Sequence, residues 1–228
     1  MCGRFSQSER VDRVAALFGA TVDPDLPEGR YNVAPTDPIR ILVETDGARR
    51  LVKADWGFRP FWRRDETRRT PGWINARAET ALDSPAFGPA LRRRRCLVPA
   101  DAFYEWDRSH RPPQPWAIGP TTADAVLLFA GIWTDALEDE PRTAAILTTG
   151  PNATMAPLHH RMPVVLDPRD VDAWLDAEAP AEAAMGLLVP APDDALRTWP
   201  VSPAVNKVGT DGAELLRPLA PQPTLGLA

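Results

Sequence analysis

Twenty-six prolines are scattered along the 228 residues, and they limit every element the chain can build. Proline lacks a backbone N–H and clashes inside helices, so it also stays out of central strands. The chain therefore reads as many short elements joined by turns. Alternating or continuous apolar runs predict strands at 39–43, 51–56, 73–77, 116–119, 126–133, 143–149, 163–166 and 198–201. Residues 96–106 read as strand with a turn at Pro99-Ala100-Asp101. A first helix follows the S-x-x-E capping box Ser6–Glu9 and stops at Gly19. Further helices are expected at 78–91, in two pieces around Pro85, at 152–158, and at 168–175, opened by Pro168. The stretch 22–38 reads as a proline-punctuated loop. Strands outnumber helices and do not alternate with them, which predicts an α+β fold with mostly antiparallel pairing. One compact domain over 1–217 is expected, with a proline-rich, frayed tail at 218–228.

Charge and cysteine content narrow the class. Two cysteines, Cys2 and Cys96, exclude a disulfide scaffold. No apolar run reaches the roughly 20 residues that span a bilayer, and residues 1–10 lack a signal-peptide hydrophobic region. The expectation is a reduced, cytoplasmic protein. The formal net charge is −5, yet ten arginines and only four acidic residues fall between Arg59 and Arg95. A basic segment on an acidic body reads either as a solvated face or as a local polyanion site.

Cys2 is the unusual residue. Methionine aminopeptidases remove Met1 when the next residue is small, leaving a free α-amine beside a thiol. Both can bond one aldehyde carbon and close a five-membered thiazolidine, which no internal cysteine can do. Their reference pKa values, about 8 and 8.5, put both within reach of nucleophilic duty. In an extended segment Cys2 and Arg4 would share one face, with Phe5 on the other; the same period pairs Asn75 with Arg77. Glu105, in Ala-Phe-Tyr-Glu-Trp, is a carboxylate in an apolar strand, where desolvation raises its pKa toward that of a general acid. His159 and His160 precede Arg161-Met162-Pro163. No ligand pair has zinc-like spacing, and no metal or cofactor is expected.

These segments together resemble the SOS-response-associated peptidase (SRAP) family. The matching residues are MCGRF at 1–5, RYNVAPT at 30–36, Trp56-Gly57 and INARAET at 74–80. They continue with CLVPADAFYEW at 96–106, HHRMP at 159–163 and VSPAVN at 201–206. The resemblance implies one α+β domain with an open β-barrel-like core, flanking short helices and a DNA channel leading to the N-terminal cysteine. It implies a monomer that binds single-stranded DNA and links covalently to abasic sites. Residue by residue it makes Cys2 the nucleophile, Asn75 the group orienting the reacting centre, Glu105 the acid/base and His159 the catalytic histidine. Arg4, Arg77 and Arg161 become DNA-backbone contacts. Asn32 and Pro35 fall in a loop lining the channel, and Trp62 and Trp106 form its aromatic wall. His160 and Arg92–Arg95 receive no role.

Three other readings compete: a cysteine peptidase using Cys2 with His159, a non-covalent single-strand binder using arginine and tryptophan, and an N-terminal-nucleophile amidohydrolase. The last needs stacked sheets that these short strands do not suggest.

Overall fold

The computed structural model describes residues 2–8, 11–63, 72–122, 124–136 and 141–220. Its strands are β1 (Phe5–Gln7), β2 (Thr21–Val22), β3 (Arg30–Val33), β4 (Pro38–Thr45), β5 (Ala48–Trp56), β6 (Asn75–Arg77) and β7 (Arg95–Ala100). They continue with β8 (Ala102–Asp107), β9 (Gln114–Pro120), β10 (Leu127–Thr134), β11 (Thr143–Thr149), β12 (Met162–Pro163) and β13 (Leu196–Pro200). The helices are short: α1 (Val11–Phe18), α2 (Ala78–Ala81), α3 (Gly88–Arg93), α4 (Val171–Leu175) and α5 (Ala181–Met185). The fold is α+β and dominated by sheet.

Two sheets carry it. The smaller has the order β13-β9-β8-β1-β3, the larger β12-β11-β10-β7-β4-β5-β2, with β6 on the far side of β11. A short parallel pairing of β11 with β5, Thr143 opposite Asp55 and Ala144 opposite Trp56, joins β5, β4, β7, β10 and β11 into a ring. The β4–β7 seam is equally short, Leu42 opposite Leu97 and Val43 opposite Cys96. The ring is thus barrel-like but only lightly sewn at two places.

Period-two alternation divides each ring strand between two cores. Ile39, Ile41, Val43, Val52, Ala54, Trp56, Cys96, Val98, Phe129 and Ile146 point into an inner core. Leu42, Leu51, Leu97, Leu128, Ile132 and Leu147 point outward under the helices. Both faces are covered, so these strands read as continuous apolar runs. Phe5, Val33, Phe103, Ile118 and Leu196 of the smaller sheet join the inner core. That sheet's other face, with Tyr104 and Ala117, packs beneath Val201, Val205 and Leu215. Gln7 ties the sheets together: its amide donates to Arg40 O (2.8 Å) and Pro99 O (2.7 Å) and accepts from Arg40 N (2.8 Å).

Several expectations are corrected. Ser6 does not cap α1; it lies in β1, and its hydroxyl donates to Asp101 Oδ2 at 2.6 Å. The expected loop at 22–38 contains the end of β2 and all of β3. Residues 152–158 form successive turns in place of a helix. Leu219 N donates to Pro200 O (2.9 Å), so the packed chain runs past residue 217; the tail expected beyond 220 lies outside the described residues. Among the described residues no helix is long and apolar enough to cross a membrane.

Candidate functional site

Cys2 lies fully buried in the inner core, between the smaller sheet and β6. Phe5 anchors the terminus there: its ring meets Trp56 edge-on at 4.9 Å and Phe129 at 6.1 Å. Burying such a ring stabilises by about 2–3 kcal/mol. Asn75 opens β6, in parallel register with Ile146, and its Nδ2 donates to the Cys2 carbonyl at 2.8 Å. The backbone of residue 2 is therefore held from the side by a specific amide. Asn75 Oδ1 is buried and has no partner, an acceptor left open beside the cysteine.

Glu105 sits on β8, directly opposite Trp116 of β9. Alternation puts it on the inner face with Phe103, and its side chain is buried. Burial raises its pKa above the usual carboxylate value. The Cys2 thiol is pushed up too, first by burial and then by the negative charge of Glu105. That coupling puts the two groups within electrostatic reach. It also keeps the thiol protonated near neutrality, so any attack by sulfur needs a base. Among the described residues the thiol's one hydrogen bond is a long contact to Arg4 O, 3.9 Å.

His159 follows the turns at 152–158, which Asn152 organises by accepting from Met155 N (3.0 Å) and donating to Ala191 O (3.0 Å). Arg161 N donates to His159 Nδ1 at 3.0 Å. Arg161 O, which can only accept, lies 3.1 Å from the same nitrogen, so the Arg161 backbone holds Nδ1 whichever ring nitrogen carries the proton. Burial lowers the His159 pKa, which favours the neutral ring. His160 is exposed, and its ring stacks on His159 with centroids 4.3 Å apart.

The arginines divide. Arg4 does not share a face with Cys2. The extended period begins only at Phe5, and Arg4 turns to the outer face of the smaller sheet. Its Nη1 donates there to Asn32 Oδ1 (2.9 Å) and Val205 O (2.8 Å), with Trp106 6.0 Å from the guanidinium. Asn32 is fully buried on β3, outside any loop, and its amide also holds Thr210 O (2.8 Å). Trp106 Nε1 donates to Asn206 Oδ1 (2.6 Å). Arg161 grips Glu79 with both terminal nitrogens, 2.6 and 2.9 Å, which holds the Glu79 carboxyl below its usual pKa. Arg77, by contrast, is exposed.

Pro35 stands half-buried in a tight turn, where Thr36 takes a φ of 76° and donates its N–H to Trp56 O at 2.8 Å. Trp62 is about half exposed and meets Trp73 edge-on at 6.3 Å. Trp73 packs on Phe87 and borders the outer core, away from Cys2. Arg93 and Arg94 pair with Glu178 and Asp135, and Arg95 donates to Trp174 O and Leu91 O. That run braces helices. Arg64, Arg68 and Arg69 lie outside the described residues. Among the described residues no cluster of His, Cys, Asp and Glu fits a metal ion.

The family model described as SOS response associated peptidase (SRAP) matches residues 1–208. The chain belongs to that family. Its relatives include the abasic site processing protein YoqW of Bacillus subtilis, 35% identical over 95% of this chain and 99% of its own. YedK of Escherichia coli, also named an abasic site processing protein, is 32% identical over 96% of this chain and all of its own. The chicken protein HMCES, of the same name, is 32% identical over 96% of this chain and 78% of its own. A crystal structure from Bacteroides thetaiotaomicron has the same fold, with a TM-score of 0.85 and 24% identity over 96% of this chain and all of its own.

Within this SRAP domain, Cys2, Asn75 and Glu105 meet at one place, with His159 on the neighbouring turn. Sequence reasoning missed Trp116, whose buried indole N–H has no partner and which stands across from Glu105. Only strand register reveals it. Arg108, one residue past β8, was also missed: its charge acts on both Glu105 and His159. Its two-residue offset from Trp106 is the one sequence signal that it had.

Proposed function

We propose that this protein captures abasic sites in single-stranded DNA by forming a thiazolidine through Cys2 after Met1 is removed. The observation that carries the reading is the meeting of Cys2 and Glu105 on one inner face, with Asn75 gripping the Cys2 carbonyl at 2.8 Å. A catalytic site of this kind holds its nucleophile by the backbone and keeps a desolvated carboxyl beside it. The names of the relatives, abasic site processing proteins, agree with it.

The open-chain form of an abasic deoxyribose presents an aldehyde at C1′. The Cys2 amine adds to that carbon, and loss of one water gives an imine. His159 delivers a proton to the sugar oxygen as the ring opens. The Cys2 sulfur then attacks the imine carbon; its proton leaves and the imine nitrogen gains one, closing the thiazolidine. Glu105, with its raised pKa, carries protons to and from the nitrogen and sulfur. Asn75 Oδ1 accepts from a sugar hydroxyl or from the new ring N–H. An open imine permits strand cleavage by β-elimination, and ring closure removes that electrophile, so the product shields the site.

A peptidase reading with Cys2 and His159 as a dyad has less support, because the thiol's hydrogen bond goes to Arg4 O. Intact mass before and after incubation with an abasic oligonucleotide tests the proposal. The expected result is a chain lacking Met1 that gains the mass of the oligonucleotide less one water. Capture at full yield by a chain that retains Met1 would overturn it.

A further inference from the structure

A groove of about 440 Å³ opens next to His159. One wall is the turn after β8, Asp107, Arg108 and Ser109; the other runs from Ala156 to His160. Arg108 is exposed, and among the described residues it makes no ion pair. The neighbouring Asp107 carboxylate does not neutralise it, since that group accepts from Ser109 N (2.9 Å) and faces His110 Nδ1 (3.1 Å). Two Ser109 bonds hold Asp107 low and ionised, committed to its own turn. The second wall ends in His160, whose ring rests on His159 and which makes no hydrogen bond among the described residues. One open guanidinium and one open imidazole thus border a groove that leads to the reacting histidine. Arg4 and Arg161 contrast with them, as both are held by protein partners.

We infer that this groove is a phosphodiester subsite, in which Arg108 and His160 hold the backbone of the nucleotide flanking the abasic residue on one side. The inference rests on the reading of the site as one that takes a DNA strand. A guanidinium with free terminal nitrogens suits a phosphate in fork geometry, and contacts of this type set register without reading sequence. Arg108 acts electrostatically on both Glu105 and His159, so an anion bound there lies close to the reacting carbon. Its task is to place C1′, and a strand without that phosphate loses the benefit.

The test uses fluorescence anisotropy with strands carrying the unreactive tetrahydrofuran analogue of an abasic residue at an internal, 5′-terminal or 3′-terminal position. Arg108→Ala is expected to raise Kd about 3–10-fold on the internal strand, and to reduce the salt slope by about 0.7, the value for one lost phosphate contact on a single strand. The effect should persist on one terminal strand and vanish on the other. His160→Ala should follow the same strand preference with a smaller change, and Arg108→Lys should retain the salt slope. An unchanged Kd and slope, or equal weakening on all three strands, would overturn the subsite. Crosslinking of the wild type to a true aldehyde strand, run in parallel, separates the two questions. If the wild type fails to crosslink while the terminal strands still split, the covalent reading fails and the subsite stands.

Discussion

The two faces of the smaller sheet treat their polar groups differently. On the outer face, Arg4, Asn32, Trp106 and Asn206 are joined by direct hydrogen bonds and an arginine–aromatic contact. On the inner side, Trp116 Nε1 has no partner, and neither has Asn75 Oδ1, which stands on β6 of the larger sheet beside Cys2; on the outer face Arg4 Nε is likewise left over. Proteins pair nearly all their buried polar atoms, so leftovers mark strain or a missing ligand. The outer face therefore reads as bracing for the C-terminal turns, and the proposed substrate would complete the hydrogen bonding of the inner side. Arginine content alone does not separate them.

Cys2→Ser gives the largest expected effect. It retains an amine able to form an imine but lacks the sulfur that closes the stable ring. Heat-stable adduct on a denaturing gel should fall by about 100-fold or more. Undiminished yield would remove the thiol from the chemistry and with it the special standing of the inner face.

Glu105→Gln comes next. Loss of a positioned acid/base slows such steps by about 10²-fold or more, measured as the single-turnover rate of adduct formation. The same variant tests the pKa direction. Glu105 holds its proton more tightly folded than unfolded, so its contribution to stability is complete below the unfolded carboxylate value of about 4.5. That contribution is lost as pH rises through the folded value. Urea unfolding between pH 4 and 8 should show wild-type stability declining relative to Glu105→Gln as pH rises. Parallel curves would mean that the carboxylate is not desolvated.

Much of this was legible beforehand because it depends on local pattern. Runs such as Leu-Leu-Phe-Ala-Gly-Ile-Trp in β10 announce strands covered on both faces. The family motifs carried Cys2, Asn75, Glu105 and His159. What failed depended on distant partners. Ser6 looks like a helix cap until Asp101, 95 residues away, takes its hydroxyl. Asn32 and Arg4 hold each other together with carbonyls from 205 and 210, a pairing that no local pattern announces. The period that should have put Arg4 beside Cys2 applies only within a strand, and β1 begins one residue later.

Arg4→Met sharpens the comparison from the outer side. It leaves Asn32 Oδ1 without its donor in a buried place, and Val205 O with only the Asn32 amide at 3.3 Å, a loss of about 2–4 kcal/mol. For a chain of this size that lowers Tm by roughly 5–15 °C. Adduct yield per folded molecule, and the salt slope of strand binding, should stay near wild type. A slope reduced by about 0.7 with unchanged Tm would instead make Arg4 a direct phosphate contact.

Cys96→Ala should do least, and it isolates what burial alone means. Cys96 is as buried as Cys2, and its thiol is likewise pushed up, by desolvation alone. Around it stand apolar neighbours and the backbone of Gly131, where a Cβ would come within 3.0 Å of its sulfur. No carboxylate acts on it, and its carbonyl accepts from the Trp174 indole N–H at 2.8 Å, a donor with no acceptor atom to offer a substrate as Asn75 has beside Cys2. Removing the sulfur should lower stability by about 1 kcal/mol and leave adduct formation within about two-fold of wild type. If Cys96→Ala instead lost capture, a buried thiol on β7 would be reaching the strand, and the asymmetry between the two cysteines would have no basis in their polar neighbours.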